Sequence, residues 1–183
     1  MTREWIEQKI KEVHKNAVDQ NKNIDELLMW IILDLGKAFE AHRCGRFANW
    51  TGNAGLNNFD NFKAGGVRLY CLLKDYEKYI KDTFEDEIAD VYIRLFDLCG
   101  YLGIDVNSFY HITGWENSFK SSNIAVSFLV ITRKICEFHE SYIYTIFTEL
   151  MGLVNELNIP IEKHIEAKMA YNKTRPIKHE KAY

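Results

Sequence analysis

The sequence predicts an all-α protein, a bundle of helices closed around one core. Three observations predict it. Apolar residues recur at spacings of three and four over most of the chain. Breakers are scarce, with two prolines, Pro160 and Pro176, and ten glycines among 183 residues. No stretch alternates with comparable strength, and no Asn-Gly or Asp-Gly pair marks a hairpin.

The elements follow in order. Thr2 to Ala17 forms a short amphipathic helix with Trp5, Ile6, Ile10 and Val13 on one stripe. Asn23 or Asp25 then offers an N-cap for a helix running to about Arg43, whose apolar positions Ile24, Leu27, Leu28, Ile31, Leu35, Ala38 and Phe39 recur at spacings of three and four. Asp34, Lys37 and Glu40 fall on another face, each three residues from the last. Gly45 to Gly66 is rich in Gly and Asn and reads as a long loop. Helical pattern resumes near Val67 and runs to Leu102, with a break near Asp82 and Thr83, where Asp82-x-x-Glu85 and Thr83-x-x-Asp86 resemble capping signals. Gly103 closes that helix in a left-handed C-cap. A second loop covers about Asp105 to Glu116. Helices return over Phe119 to Phe138 and Ser141 to Leu157, and Pro160 ends the run. A last helix covers Ile161 to Lys173 and stops at Arg175-Pro176, leaving a tail from Ile177 to Tyr183. The segments Leu98 to Val106 and Leu153 to Ile161 share an apolar spacing, as duplicated units or as two helix ends of the same chemistry.

Composition narrows the function. Hydrophobic residues make up 47% and charged residues 27%, too apolar for disorder, so one core-forming domain over 1–183 is expected. A net charge of −3 argues against a broad surface for nucleic acid, though not against a local basic pocket. The longest wholly apolar run, Leu27 to Leu33, is far short of a membrane span, and the N-terminus is charged where a signal peptide would be apolar. Cys44, Cys71, Cys99 and Cys136 form no C-x-x-C, so a reduced cytoplasmic protein without a zinc site is expected. H-E-x-x-H, the P-loop, G-x-S-x-G and the Glu-x-x-His pair of di-iron bundles are all missing.

Three charged faces remain. Glu87 and Asp90 leave one face of a helix, a pair that suits Mg²⁺, which takes oxygen ligands. The same acids also fit a solvated helix start favoured by the dipole, with Asp90 paired to Arg94 at i,i+4. Asp34, Lys37 and Glu40 fit either a polar face with an Asp34–Lys37 pair or one side of a metal site shared with Glu87 and Asp90. Lys168, Asn172 and Arg175 share a face near the C-terminus, suited to phosphate oxygens and a polar ring edge, or to the negative end of a helix dipole.

Taken together, Glu40-Ala41-His42-Arg43, the stretch Ile80 to Gly103 (IKDTFEDEIADVYIRLFDLCGYLG) and Ala167 to Pro176 (AKMAYNKTRP) resemble the all-α nucleoside triphosphate pyrophosphohydrolases, the MazG-like superfamily. They cover about a third of the chain. The resemblance implies a MazG-like helical bundle, assembled as a homo-oligomer with a dimer favoured. It implies Mg²⁺, with Mn²⁺ as a substitute, and a metal-activated water that cleaves the α–β linkage of a nucleoside triphosphate to give monophosphate and pyrophosphate. Neither a nucleic acid polymer nor a membrane is an expected partner. By position, Asp34, Glu87 and Asp90 would hold the metal, with Glu87 and Asp90 as the catalytic pair, while Lys168, Asn172, Arg175 and Lys37 would contact substrate. The first acidic motif departs from the family's Glu-x-x-Glu: Asp34 is one methylene shorter, and Lys37 replaces the second acid. A helical segment of about 107–157 and the loop 45–66 are expansions relative to the family. The alternative reading is a catalytically degenerate nucleotide-binding or regulatory protein on the same fold.

Overall fold

The computed structural model describes residues 1–16, 23–49, 69–107 and 123–174. Within them the secondary structure is helical, and no strand occurs among the described residues. The helices are α1 (Arg3–Asn16), α2 (Ile24–Arg43), α3 (Leu69–Tyr79), α4 (Phe84–Leu102), α5 (Ile124–Cys136), α6 (Glu140–Glu156) and α7 (Ile161–Thr174). No helix is long and apolar enough to cross a membrane. The loop expected over 45–66 is described only to Asn49, and most of the loop at 105–116 and the tail after Thr174 lie outside the described residues. The onsets expected at Val67 and Phe119 lie outside them as well.

The caps show why the helices begin where they do. Asn23 caps α2, its side chain accepting from the Glu26 N–H at 2.8 Å, so the first of the two expected caps is used. Thr83 caps α4 and accepts from the Asp86 N–H. The break before α4 turns at Asp82, whose φ is 60°.

Gly103 ends α4 in the left-handed region, and Asn158 does the same after α6. The two ends make the same bonds, Ile104 N–H to Cys99 O at 3.0 Å and Ile159 N–H to Val154 O at 2.8 Å. The end of α2 repeats this geometry at Gly45, with Arg46 N–H donating to Ala41 O at 2.9 Å, although its sequence lacks the shared apolar spacing. The echo between the two segments therefore coincides with a cap that a third, dissimilar helix end also adopts.

α4 is the central helix. Ile88, Ala89, Val91, Tyr92, Leu95, Phe96, Leu98 and Cys99 are buried on nearly all sides, because α1, α2 and α7 pack on it. Gly100 lets α1 approach: a Cβ there would lie 2.5 Å from the His14 Cβ. Rings extend the core. Phe147 of α6 packs against Tyr92 and Phe96, and Phe128 of α5 lies between Phe39 of α2 and Phe84 of α4. The described part of the segment expected as an insertion joins the core through α5 and α6. α3 meets α7 through a stack of Tyr76 on Tyr171, centroids 4.5 Å apart.

A candidate metal centre between α2 and α4

Two helices bring the acids together. Asp34 lies on the buried side of α2. Glu87 and Asp90 lie one turn apart on α4, which α2 packs against. Asp34, Glu87 and Asp90 each offer a carboxylate oxygen within 4.8 Å of the others. Asp82, Asp86 and Glu87 form a second such group, so Glu87 belongs to both. The Glu87 Oε2 atom is buried without a hydrogen-bond partner among the described residues, and Glu87 as a whole is 6% exposed. A buried acceptor left in that state is costly.

Electrostatics follow from this crowding. Burial pushes the Glu87 carboxyl up to about 7; Lys168 and Lys37 oppose the rise, while Asp90 and Asp86 add to it. Burial also raises Asp90, against the pull of Lys168 and with the help of Asp86 and Asp34. Burial and mutual repulsion thus favour the protonated forms of Glu87 and Asp90, and a divalent cation would compete with protons for their oxygens.

Three cations share the cluster. Lys37 Nζ lies 2.5 Å from Asp34 Oδ1. Burial works against the Lys37 charge, but the bond to Asp34 holds its pKa above the ordinary value. Arg94 reaches Asp34 Oδ2 at 3.4 Å and lies over the Trp30 ring, 4.6 Å from its centroid. Asp34 therefore has Arg94 as a second cation, whereas the sequence suggested Asp90 as Arg94's partner. Lys168 lies 2.8 Å from Asp86 Oδ2 and 2.7 Å from Asp90 Oδ2. Burial disfavours its charge, but Asp90 and Asp86 keep it firmly protonated.

All the sequence-predicted site residues except Arg175 lie within the described residues. Asp34, Lys37, Glu87 and Asp90 converge. Lys168 joins them from α7, buried at 6% exposure, with its ammonium directed to Asp86 and Asp90. Asn172 is exposed, one turn further along α7, and Arg175 lies outside the described residues. Glu40, one turn beyond Lys37, is engaged by Arg43 at 2.8 and 2.7 Å and by the Cys44 thiol at 3.2 Å.

Sequence reasoning missed Asp86. This carboxylate is fully buried and accepts from Lys168, the Tyr76 hydroxyl and the Asp82 N–H. Its signal was available in the spacing: Asp86 and Asp90 are i,i+4 and face the same neighbour. Glu85 was read as part of a capping signal with Asp82, yet its carboxylate accepts from the Ala48 N–H at 2.8 Å and fastens the chain after α2 to the start of α4.

The cluster opens outward through a depression of about 490 Å³ lined by Leu33, Gly36, Lys37, Glu40, Arg46, Asp82 and Glu87. Carboxylate oxygens without sulfur or imidazole suit a hard divalent cation such as Mg²⁺ or Mn²⁺. Compared with protein-family models, with curated proteins and with solved structures, the chain finds no match.

Proposed function

We propose that this protein is a Mg²⁺-dependent nucleoside triphosphate pyrophosphohydrolase of the MazG-like type, cleaving the α–β linkage to monophosphate and pyrophosphate. The observation that carries the reading is the convergence of Asp34, Glu87 and Asp90 from two helices, with the Glu87 Oε2 atom buried and without a hydrogen-bond partner among the described residues. An acidic cluster alone would be weak support. The orphaned oxygen adds a buried acceptor without a hydrogen bond, on a residue that two further carboxylates approach within 4.8 Å.

Asp34, Glu87 and Asp90 would hold the cation. When bound, it would supply charge to a phosphoric anhydride and acidity to a water. The chain's own residues set the terms. Lys168 fixes the Asp90 carboxylate from behind, and the paired α2 and α4 hold the acids without help from a loop. Glu87, raised to about 7 by burial in the metal-free site, would lose its proton on taking the cation, so metal binding is expected to strengthen as pH rises. Asn172, exposed on α7, and Arg175, which lies outside the described residues, would contact substrate as the resemblance implies.

One observation favours a second reading. The Lys37 ammonium already supplies charge to Asp34 at 2.5 Å, as a metal would. On that reading the protein binds nucleotide without metal and without turnover. Pyrophosphate release separates the two. The enzyme reading expects Mg²⁺-dependent release that Glu87→Ala abolishes. Full turnover by Glu87→Ala would remove Glu87 from the mechanism.

A further inference from the structure

Arg46 lies just after α2, where the backbone crosses the start of α4. Its N–H donates to Ala41 O and its carbonyl accepts from the Phe84 N–H, both at 2.9 Å. Two residues on, Ala48 bonds to Glu85 at 2.8 Å, and the Asn49 N–H donates to Tyr79 O at 3.2 Å. The Arg46 backbone is therefore pinned to both helices that carry the acids. Its side chain is exposed and lines the depression together with Lys37 and Glu87. Among the described residues it makes no ion pair. Its acidic neighbour Glu40 is already held by the fork of Arg43.

Lys37 is the second cation on this wall. Its stem is more than half exposed, with a side chain 56% accessible, and only its head is tied to Asp34. A divalent cation that took Asp34 as a ligand would compete for that carboxylate and repel the ammonium. The lysine head would then turn outward into the depression, beside Arg46.

We propose that Arg46 and Lys37 form an anion subsite for the polyphosphate tail of a nucleotide, and that Lys37 joins it when a divalent cation takes Asp34. The inference rests on the metal reading above and adds to it the residues that grip the tail. A planar guanidinium bonds two phosphate oxygens at once, while an ammonium follows as a point charge. Before the cation binds, Lys37 is engaged and the acids repel a polyanion. Cation and polyphosphate therefore bind with positive coupling, and each raises the affinity of the other.

Calorimetric titration of the full chain with Mg²⁺ alone, and then with inorganic pyrophosphate at fixed Mg²⁺, tests this. Wild type is expected to bind Mg²⁺, and to bind pyrophosphate at least about tenfold more tightly with Mg²⁺ than without it. Arg46→Gln is expected to keep its Mg²⁺ affinity and its melting temperature, since the backbone bonds of Arg46 need no side chain, and to lose about tenfold in pyrophosphate affinity. Arg46→Lys should recover part of that loss. Equal pyrophosphate affinity in wild type and Arg46→Gln, with Mg²⁺ binding intact in both, would overturn the subsite and leave the metal reading standing. Pyrophosphate binding by wild type that Mg²⁺ does not strengthen would overturn the handover of Lys37. Failure of wild type to bind Mg²⁺ at all would overturn the metal reading and the subsite with it.

Discussion

Glu87 shows how much a single carboxyl can report. Its folded pKa of about 7 lies above the ordinary 4.5 because burial and the neighbouring acids disfavour its charge. Over the window between those values the native state holds a proton that the unfolded chain has lost. Stability from this group is therefore complete below 4.5 and is lost as pH rises through 7. Metal-free Glu87→Gln should accordingly be more stable than wild type at pH 8, by about 3 kcal/mol. Urea denaturation at pH 8 checks it, and a variant no more stable than wild type would mean that Glu87 carries no such penalty. The residue scale also marks what the sequence could convey. Glu87 and Asp90 were legible because i,i+3 spacing alone puts them on one face. Asp34 was legible as a candidate only, since its meeting with Glu87 depends on how α2 packs on α4. Asp86 was hidden within an acidic run that a helix start explains equally well.

At the scale of elements, α7 is fastened to the site by one buried lysine. Lys168 faces two carboxylates on α4, and Tyr171 on the same helix stacks on Tyr76, whose hydroxyl donates to Asp86. Removing the ammonium leaves Asp86 and Asp90 buried without their cation. Lys168→Met should therefore cost about 3–5 kcal/mol at pH 7, with a smaller loss at pH 5, because burial raises the Asp90 carboxyl and so favours its neutral form as pH falls. Equal losses at both pH values would show that packing rather than charge sets the cost. The sequence placed Lys168 on a substrate-facing surface because a basic helix end with Asn172 invites that reading. Which side of α7 turns inward is decided by Ile165, Met169 and Tyr171, and they carry Lys168 inward with them. Helix ends were more legible: Gly103 announced its left-handed cap, whereas Asn158 did so only once its backbone was seen.

At the scale of the whole molecule, two buried groups oppose each other as pH falls. Burial lowers His164 to about 3, so the unfolded chain takes a proton near 6.5 that the native state refuses. Stability from His164 is lost as pH falls from 6.5 toward 3, by about 1.4 kcal/mol per pH unit. Glu87 works in the other direction between 7 and 4.5. The wild-type profile from this pair should be shallow between 6.5 and 4.5 and then fall. His164→Gln should unmask a rise in stability with falling pH across that window, read as the slope of urea midpoints rather than their level. An unchanged slope would contradict the assignment. The all-α class was legible throughout, from periodicity and the lack of breakers. The joining of α5 and α6 to the core was not, because it rests on Phe128 and Phe147 meeting rings of distant helices.

The central claim is that the acids between α2 and α4 serve cleavage of a nucleoside triphosphate. Product analysis tests it most directly, with ribo- and deoxyribonucleoside triphosphates incubated with the protein, with and without Mg²⁺ or Mn²⁺. The account predicts metal-dependent release of pyrophosphate in equal amount to nucleoside monophosphate, lost in Glu87→Ala. Release of inorganic phosphate with nucleoside diphosphate, or no release while a nucleotide still raises the melting temperature, would contradict it.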